Sequence, residues 1–129
     1  MGNLVNEFSV SRGREAQFES GGLRSFLEYR DLGIKKATGG RWRASISHSL
    51  QAMPGGTGLH RHELDVQVVF VLQGQAVFEY GQYGEVEVGP GDCIHQPSGI
   101  VHQQTDRTAD CMVNEVVSPG DIPTDETGL

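Results

Sequence analysis

Short runs of β-forming residues, separated by turns rich in glycine, constrain the fold of this chain more than any other feature. The clearest run is VQVVFVL at residues 66–72, followed after a turn containing Gly74 by AVFEY at residues 76–80. This pattern predicts a hairpin. Because the chain has 18 glycines and no convincing amphipathic helical pattern, we predict an all-β sandwich or barrel. Further strands are predicted at residues 26–32, 43–50, 85–88, 92–95, 101–105 and 110–117.

The length of 129 residues predicts one domain, with a core large enough to form without disulfide or metal cross-links. Residues 1–22 are polar and interrupted by glycine, so we expect a loosely structured arm there. Residues 23–118 contain the predicted strands and form the single barrel domain. Residues 119–129 are acidic and rich in proline and glycine, which predicts an irregular tail.

The charge balance argues against two classes of partner. The formal net charge is -7 and the isoelectric point is about 5.1, so the chain lacks the basic surface typical of proteins that bind nucleic acid or anionic membranes.

Two cysteines, Cys93 and Cys111, are too few for a disulfide scaffold, and the N-terminal residues lack the apolar segment of a signal peptide. No apolar run approaches the ~20 residues that span a bilayer. We expect a soluble, cytoplasmic protein.

Two histidines separated by one residue, His60 and His62, are the strongest chemical signal in the chain. Side chains alternate between the two faces of a strand, so a strand containing both residues directs their imidazoles to the same side. A third imidazole from a distant strand, close to an amide or carboxylate oxygen, would complete a site for a divalent transition metal ion. The pattern therefore predicts a small metalloprotein.

Two groups of residues, far apart in the chain, carry a family resemblance. The first group consists of His60, His62, Gln67 and Gly74, and the second of Gly91, Pro97, Gly99 and His102. In order and in approximate spacing they match the two signatures of the cupins. The chain thus resembles a small single-domain cupin over roughly residues 40–118, and this resemblance implies a double-stranded β-helix, or jelly-roll barrel.

Three positions depart from the cupin signatures. Gln67 replaces the usual glutamate, Asp106 replaces an asparagine, and Gly55 lies one residue nearer to His60 than is usual. The resemblance implies four metal ligands: His60, His62, Gln67 and His102. Two alternatives stay open, namely a barrel that retains this scaffold without a metal ion, and a Gln67 that only hydrogen-bonds a ligand or a bound water.

The amide at position 67 affects which metal ion is expected. Three neutral imidazoles and a neutral amide oxygen leave the full charge of a divalent ion in place, which strengthens it as a Lewis acid and attracts anionic substrates. Imidazole-rich sites suit zinc, nickel and iron better than manganese, which prefers carboxylates. We therefore expect zinc, nickel or iron.

Two further residues are candidates for proton transfer. His95 precedes the proline of the second signature, and histidine titrates near neutral pH, which suits a general base. Glu79 can act as a carboxylate base if its side of the strand faces inward. Glu63 has the wrong strand parity to join the histidines, and Asp65 joins them only if the turn before residue 66 bends inward. His48 is expected to be a packed or hydrogen-bonded histidine.

The 66–72 strand also bears on assembly. If Gln67 points into the barrel, then Val66, Val68, Phe70 and Leu72 point outward, and exposing them to water is costly at roughly 25 cal/mol per Å² of apolar area. Either the N-terminal segment or a second copy of the chain must cover them. We predict a homodimer, as the resemblance to dimeric cupins also implies.

Three functions follow from the resemblance. The first is a metal-dependent enzyme, similar to the quercetinase-like dioxygenases, that acts on a small oxygenated organic molecule. The second is a zinc-dependent, non-oxidative cyclase, isomerase or lyase, in which the metal ion polarises a carbonyl group. The third is a non-catalytic cupin that binds a small ligand. No helix-turn-helix pattern accompanies the predicted barrel, which argues against a transcription regulator.

Overall fold

The structure is a computed structural model that describes residues 4–20, 25–53 and 55–121. Within these residues the fold is all-β, as predicted. Besides the strands there is one four-residue α-helix, and two short 3-10 helices at Gly13–Glu15 and Gly81–Tyr83. The elements in chain order are β1 (Leu27–Asp31), α1 (Ile34–Ala37), β2 (Arg43–Ser49), β3 (Val66–Gln73), β4 (Ala76–Tyr80), β5 (Gly84–Val88), β6 (Cys93–His95), β7 (His102–Arg107) and β8 (Met112–Ser118).

The strands form two antiparallel sheets that face each other around a common core. The larger sheet has the strand order β1-β2-β8-β3-β6, and the smaller sheet has the order β5-β4-β7. Each strand predicted from the sequence is present, with ends that differ by a few residues. Most neighbours in the larger sheet are distant in sequence, which is the crossing pattern of a jelly roll.

The hairpin predicted for residues 66–80 is wrong, because β3 and β4 follow each other in the chain but pair in different sheets, which are joined by the turn at Gly74. This residue has a φ of +76°, a conformation that residues with a side chain rarely adopt. A Cβ atom here would lie 2.6 Å from the Oγ1 of Thr108 and 2.7 Å from the Cα of Cys111. The turn between β7 and β8 therefore packs directly against this glycine, and a larger residue would push the two turns apart.

Strand β3 has the two faces that its sequence predicts. Gln67, Val69 and Val71 are buried on the inner face, whereas Phe70 and Leu72 on the outer face are 36% and 42% exposed. The inner residues belong to a core shared by both sheets, whose fully buried members include Val69, Val71, Phe78, Cys111 and Val113. The alternation of apolar residues therefore identifies the core side of the larger sheet correctly.

The N-terminal arm, described from residue 4 to residue 20, has little regular structure, as expected. Its Glu7 N–H donates to the Ala37 carbonyl at 2.8 Å, and Glu19 pairs with Tyr29 at the edge of β1. The Phe18 ring lies 5.9 Å from the His48 ring, measured between centroids, whereas Phe8 is 94% exposed. The expected tail lies, from residue 122 onward, outside the described residues, so the domain limits stay predictions.

No helix in the described part of the chain is long and apolar enough to cross a membrane.

Replacing the fully buried Phe78 tests the position of the core. We expect Phe78→Ala to lower the free energy of unfolding by about 3–5 kcal/mol, because it removes apolar contacts and leaves a cavity between the sheets. The matched control is Phe8→Ala, since Phe8 is 94% exposed and its loss should change stability by less than about 0.5 kcal/mol. Chemical denaturation measures both effects, and similar losses in the two variants would contradict the described core.

Candidate metal centre

Three histidine side chains meet inside the barrel. One nitrogen atom from each of His60, His62 and His102 lies within 4.8 Å of the corresponding atoms of the other two. The ring centroids are 4.5 Å apart for His60 and His102, 4.9 Å for His60 and His62, and 5.3 Å for His62 and His102. The structure thus brings together the two motifs that the sequence analysis singled out.

Backbone hydrogen bonds hold the histidines in place. His60 and His102 form an isolated β-bridge in which each N–H donates to the other's carbonyl oxygen at 2.8 Å. The His62 carbonyl accepts from the Gly99 N–H, also at 2.8 Å. The His-x-His segment therefore lies beside the start of β7, although it is not the regular strand that the sequence analysis expected.

The hydrogen bonds of two histidines fix which ring nitrogen carries the proton. The Nδ1 of His102 donates to the Ile100 carbonyl at 3.0 Å, and the Nδ1 of His60 donates to the Gly58 carbonyl at 2.6 Å. A carbonyl oxygen can only accept, so in each neutral ring the lone pair is on Nε2. The Nε2 of His102 is buried and has no hydrogen-bond partner. Metal-binding histidines usually have this arrangement, with one nitrogen anchored to the protein and the other directed at the ion.

The electrostatics of the site favour a neutral His102. Burial lowers the pKa of this imidazole to about 4, and the positive charges that His60 and His62 can carry lower it further, against the opposing effect of the hydrogen bond to Ile100. His102 is consequently deprotonated at neutral pH. A deprotonated imidazole is the form that binds a metal ion.

Gln67 faces the same interior and is only 2% exposed. Its amide Nε2 donates to a carboxylate oxygen of Glu115 at 3.0 Å. Because a carboxylate oxygen accepts, this bond fixes the orientation of the amide and leaves Oε1 as the atom able to serve a metal ion. The three imidazoles therefore fit a divalent ion, and the role of the Gln67 oxygen as a fourth ligand stays a prediction.

Glu115 is an inward-facing carboxylate that the sequence analysis missed. It lies opposite the fully buried Val69 in the pairing of β3 with β8, so both side chains point into the barrel. Burial raises its pKa to about 7, while the hydrogen bond from Gln67 and the charge of Arg43 oppose this shift. The signal in the sequence is alternation, because Glu115 stands between Val113 and Val117, both of which are core residues.

A second polar pair lies next to the histidines. The Tyr80 hydroxyl donates to the Oε1 of Gln96, and the Tyr80 ring centroid lies 5.8 Å from that of His102. Burial raises the pKa of Tyr80, so its hydroxyl stays protonated and acts as a donor. The Nε2 of Gln96 is buried without a partner.

The two predicted proton carriers lie elsewhere. His95 pairs with Val68 of β3, whose side chain points outward, and it is exposed on the outer face of the larger sheet. Glu79 alternates with the buried Phe78 and Tyr80 and therefore faces away from the core, where the Nε2 of Gln103 donates to its carboxylate at 3.4 Å. Strand parity thus corrects both expectations, since neither side chain faces the histidines.

The acidic residues Glu63 and Asp65 lie outside the site, and His48 is a hydrogen-bonded histidine, as expected. Glu63 is exposed and accepts a hydrogen bond from the Ser98 hydroxyl at 3.3 Å, and Asp65 is exposed as well. The turn before β3 therefore does not bend Asp65 inward. His48 is hydrogen-bonded through Nδ1 to Glu28 at 2.9 Å, as the sequence analysis expected.

A family model described as the cupin domain matches residues 49–113, about half of the chain, and this stretch includes all three histidines and Gln67. The chain belongs to the cupin family. No protein among the curated sequences matches it.

Solved structures show the same cupin fold. KdgF from Halomonas sp. is 19% identical, with a TM-score of 0.68, and the match covers 88% of this chain and 94% of that one. An RmlC-like cupin from Shewanella frigidimarina is 16% identical, with a TM-score of 0.70 and coverage of 92% and 96%. The polyketide cyclase RemF from Streptomyces resistomycificus is 22% identical, with a TM-score of 0.69 and coverage of 91% and 83%.

The position of Glu115 makes the stability of the metal-free cupin depend on pH. Its pKa is about 7 in the folded protein and ordinarily 4.5, so the folded state binds this proton more tightly. The contribution of this proton to the stability of the fold is therefore present at low pH and is lost as the pH rises from about 4.5 to about 7. Glu115→Gln keeps a hydrogen-bond acceptor for Gln67. We expect the stability of this variant, relative to that of the native protein, to increase as the pH is raised from about 5 to about 8.

Denaturant titrations of the variant and the native protein at about pH 5 and about pH 8 measure this increase in relative stability. Glu87→Gln is the control, because Glu87 is an exposed carboxylate on the outer face of the smaller sheet. A stability difference between the Glu115→Gln variant and the native protein that stays constant with pH would contradict the inward-facing position of Glu115.

Proposed function

We propose that this cupin is a divalent-metal-dependent enzyme that acts on a small oxygenated organic molecule by non-oxidative, Lewis-acid chemistry. The observation that carries the proposal is the buried, unpartnered Nε2 of His102, within 4.8 Å of ligand atoms from two further imidazoles. A buried polar atom without a partner costs folding free energy, which a bound metal ion would offset.

His60, His62 and His102 would hold the ion through imidazole nitrogens, and Gln67 through its amide oxygen. We expect zinc, nickel or iron, because this donor set contains imidazoles and no carboxylate. The bound ion would supply the polarisation of a substrate carbonyl or carboxylate oxygen. The protein would supply the orientation of the donors, through the carbonyls of Gly58 and Ile100 and the carboxylate of Glu115.

Glu115 takes the role that the sequence analysis gave to Glu79. Its carboxylate faces the interior beside Gln67, and so it is placed to take a proton from a substrate or return one. The Tyr80 hydroxyl gives its proton to Gln96 and is placed to accept a hydrogen bond from a ligand near His102, while the unpartnered Nε2 of Gln96 is a donor. Both groups lie inside the barrel, where water is largely excluded and hydrogen bonds are strong.

Similar solved structures support the non-oxidative form of the proposal. They include a polyketide cyclase, a predicted oxalate decarboxylase from Thermotoga maritima at 24% identity, and a sugar phosphate isomerase from Silicibacter pomeroyi at 18% identity. The dioxygenase-like alternative is favoured by the imidazole-rich donor set, which also suits iron. Oxygen consumption by the iron-loaded protein separates the two, and ligand binding without turnover would identify a purely binding cupin.

Metal content per chain tests the proposed ligands. We expect His62→Ala and His102→Ala each to abolish stoichiometric metal, because each removes one of three imidazoles from the site. His48→Ala and His95→Ala are matched controls that should retain the metal, since both histidines lie away from the site. Gln67→Glu should shift the preference toward manganese or iron.

Elemental analysis of protein purified without chelators or an affinity tag measures all of these variants. Full metal content in the His62→Ala or His102→Ala protein would remove that residue from the site. An unchanged metal preference in Gln67→Glu would place the side chain outside the ligand set. No metal in the native protein, even after titration, would overturn the proposed function.

We also propose that the protein is a homodimer that covers the outer face of β3. Phe70 and Leu72 are exposed there, next to Val66 and Val68. The hydrogen bonds and ring contacts of residues 4–20 lie with β1, β2, α1 and the turn at Arg41, at the opposite edge of this sheet. This described part of the arm therefore does not explain how the outer face of β3 is covered, and a second copy of the chain is the partner that we expect.

A charge on this face tests the dimer. Phe70→Glu should convert the protein to a monomer at micromolar concentration, because a buried unpaired carboxylate at an interface is strongly unfavourable. Tyr83→Glu is the control, since Tyr83 is 67% exposed and lies outside β3. Light scattering after size-exclusion chromatography gives the mass, and a monomeric native protein would contradict the proposal.

Unpaired Cys93 and Cys111 are consistent with the expected reducing, cytoplasmic location, which stays a prediction.

A further inference from the structure

We propose that Arg107 and Gln104 form a carboxylate-binding subsite inside the barrel, so that the ligand is an elongated hydroxy acid with a negative charge remote from the metal centre. This inference rests on the proposed function, because it specifies the substrate class of the same site. It is carried by buried polar atoms that no contact within the protein satisfies.

Arg107 crosses the interior of the barrel. The residue belongs to β7 of the smaller sheet and is only 1% exposed. Its guanidinium reaches β2 of the larger sheet, where Nε donates to the Ser49 hydroxyl at 2.8 Å and Nη2 donates to the Ser47 hydroxyl and carbonyl, both at 3.0 Å. Nη2 also donates to the Cys111 carbonyl at 3.2 Å.

The Cys111 side chain also hydrogen-bonds the guanidinium, and burial raises the pKa of this thiol, so all of these partners are neutral. An arginine stays protonated in proteins, so Arg107 places a full positive charge in the interior. Among the described residues no carboxylate contacts this guanidinium, and its Nη1 is buried without any partner. A buried cation of this kind is strongly unfavourable until an anion joins it.

Gln104 provides the second observation. Its side chain is fully buried, and both its Nε2 and its Oε1 lack a hydrogen-bond partner. A purely structural role explains the contacts of Arg107 with the serines, but it leaves Nη1 and the whole amide of Gln104 unexplained. Together the two residues offer N–H donors to a carboxylate, and Gln104 also offers an acceptor to a hydroxyl group.

The position of the subsite relative to the histidines indicates the shape of the ligand. His102, Gln104 and Arg107 are the three buried residues of β7, in that order along the strand. His102 and Gln104 are two residues apart, about 7 Å along the strand, and His102 and Arg107 are five residues apart, about 16 Å, so a ligand that contacts both the histidines and Arg107 must be elongated. Extended sugar diacids, held at one end by the histidine side chains and at the other by the arginine side chain, carry the required groups.

Matched pairs of sugar acids test the subsite. Glucarate has a carboxylate at both ends and gluconate at one end, and tartrate and threonate form the equivalent shorter pair. We expect zinc-loaded native protein to bind at least one diacid about 10-fold or more tighter than its monoacid partner, because a carboxylate on a buried guanidinium makes charge-assisted hydrogen bonds. Isothermal titration calorimetry measures the affinities.

Two variants assign the preference to the proposed residues. Arg107→Met removes the charge at similar volume and should abolish the preference for the diacid. Gln104→Leu should weaken this preference and should fold at least as stably as the native protein, because the amide that it removes has no partner. It therefore keeps the test valid if Arg107→Met does not fold.

The outcomes separate the two proposals. Metal content of the same samples reports on the metal centre, and a protein that takes up none of zinc, nickel and iron contradicts the proposed function. Zinc-loaded protein that binds no diacid more tightly than its monoacid overturns the subsite while the metal centre stands. An undiminished preference in Arg107→Met and Gln104→Leu overturns it as well.

Discussion

The pair of backbone hydrogen bonds between His60 and His102 is the interaction on which the site depends. These residues are far apart in the chain, and the bridge fixes the His-x-His segment beside β7, so that three imidazoles converge. The neighbouring residues extend this pairing, because Thr57 donates through its N–H to the Gln104 carbonyl and Met53 to the Arg107 carbonyl. The same segment thus lies along the whole strand that carries His102, Gln104 and Arg107.

The interior of the barrel has an apolar part and a polar part. Val71, Phe78 and Val113 belong to the core that holds the two sheets together. The polar part contains the histidines, Gln67 with Glu115, Tyr80 with Gln96, and the arginine that reaches β2. A core of apolar residues alone would be more stable, since each buried polar atom without a partner opposes folding. Polar atoms left without partners at the centre of a barrel therefore point to a ligand.

Much of this arrangement can be predicted from the sequence, because it depends on local patterns. Alternation in β3 identifies Gln67 as an inward residue, and the spacing of the histidines identifies the metal centre. Other parts depend on parity in strands whose faces the sequence leaves ambiguous. The strand pairings show that His95 and Glu79 face outward and that Glu115 faces inward.

The inward direction of the Arg107 side chain could not be predicted even from correct strand parity. Simple alternation from His102 would direct Asp106 inward and Arg107 outward. The pairing of β4 with β7 shifts register between Val77 and Phe78, so that Thr105 is an extra residue in the bulged strand. The shift leaves Asp106 exposed and turns Arg107 into the interior. A one-residue bulge, which has no clear sequence signal here, thus determines that the Arg107 guanidinium and not the Asp106 carboxylate points into the barrel.

X-ray absorption spectroscopy of the zinc-loaded native protein tests the central claim most directly, because it reports the atoms bound to the ion. The account predicts three imidazole nitrogens at about 2.0–2.1 Å and oxygen at about 2.0–2.2 Å, with no sulfur. Fewer than three imidazoles, or a sulfur ligand from Cys93 or Cys111, would show that zinc binds elsewhere and would contradict the proposed metal centre.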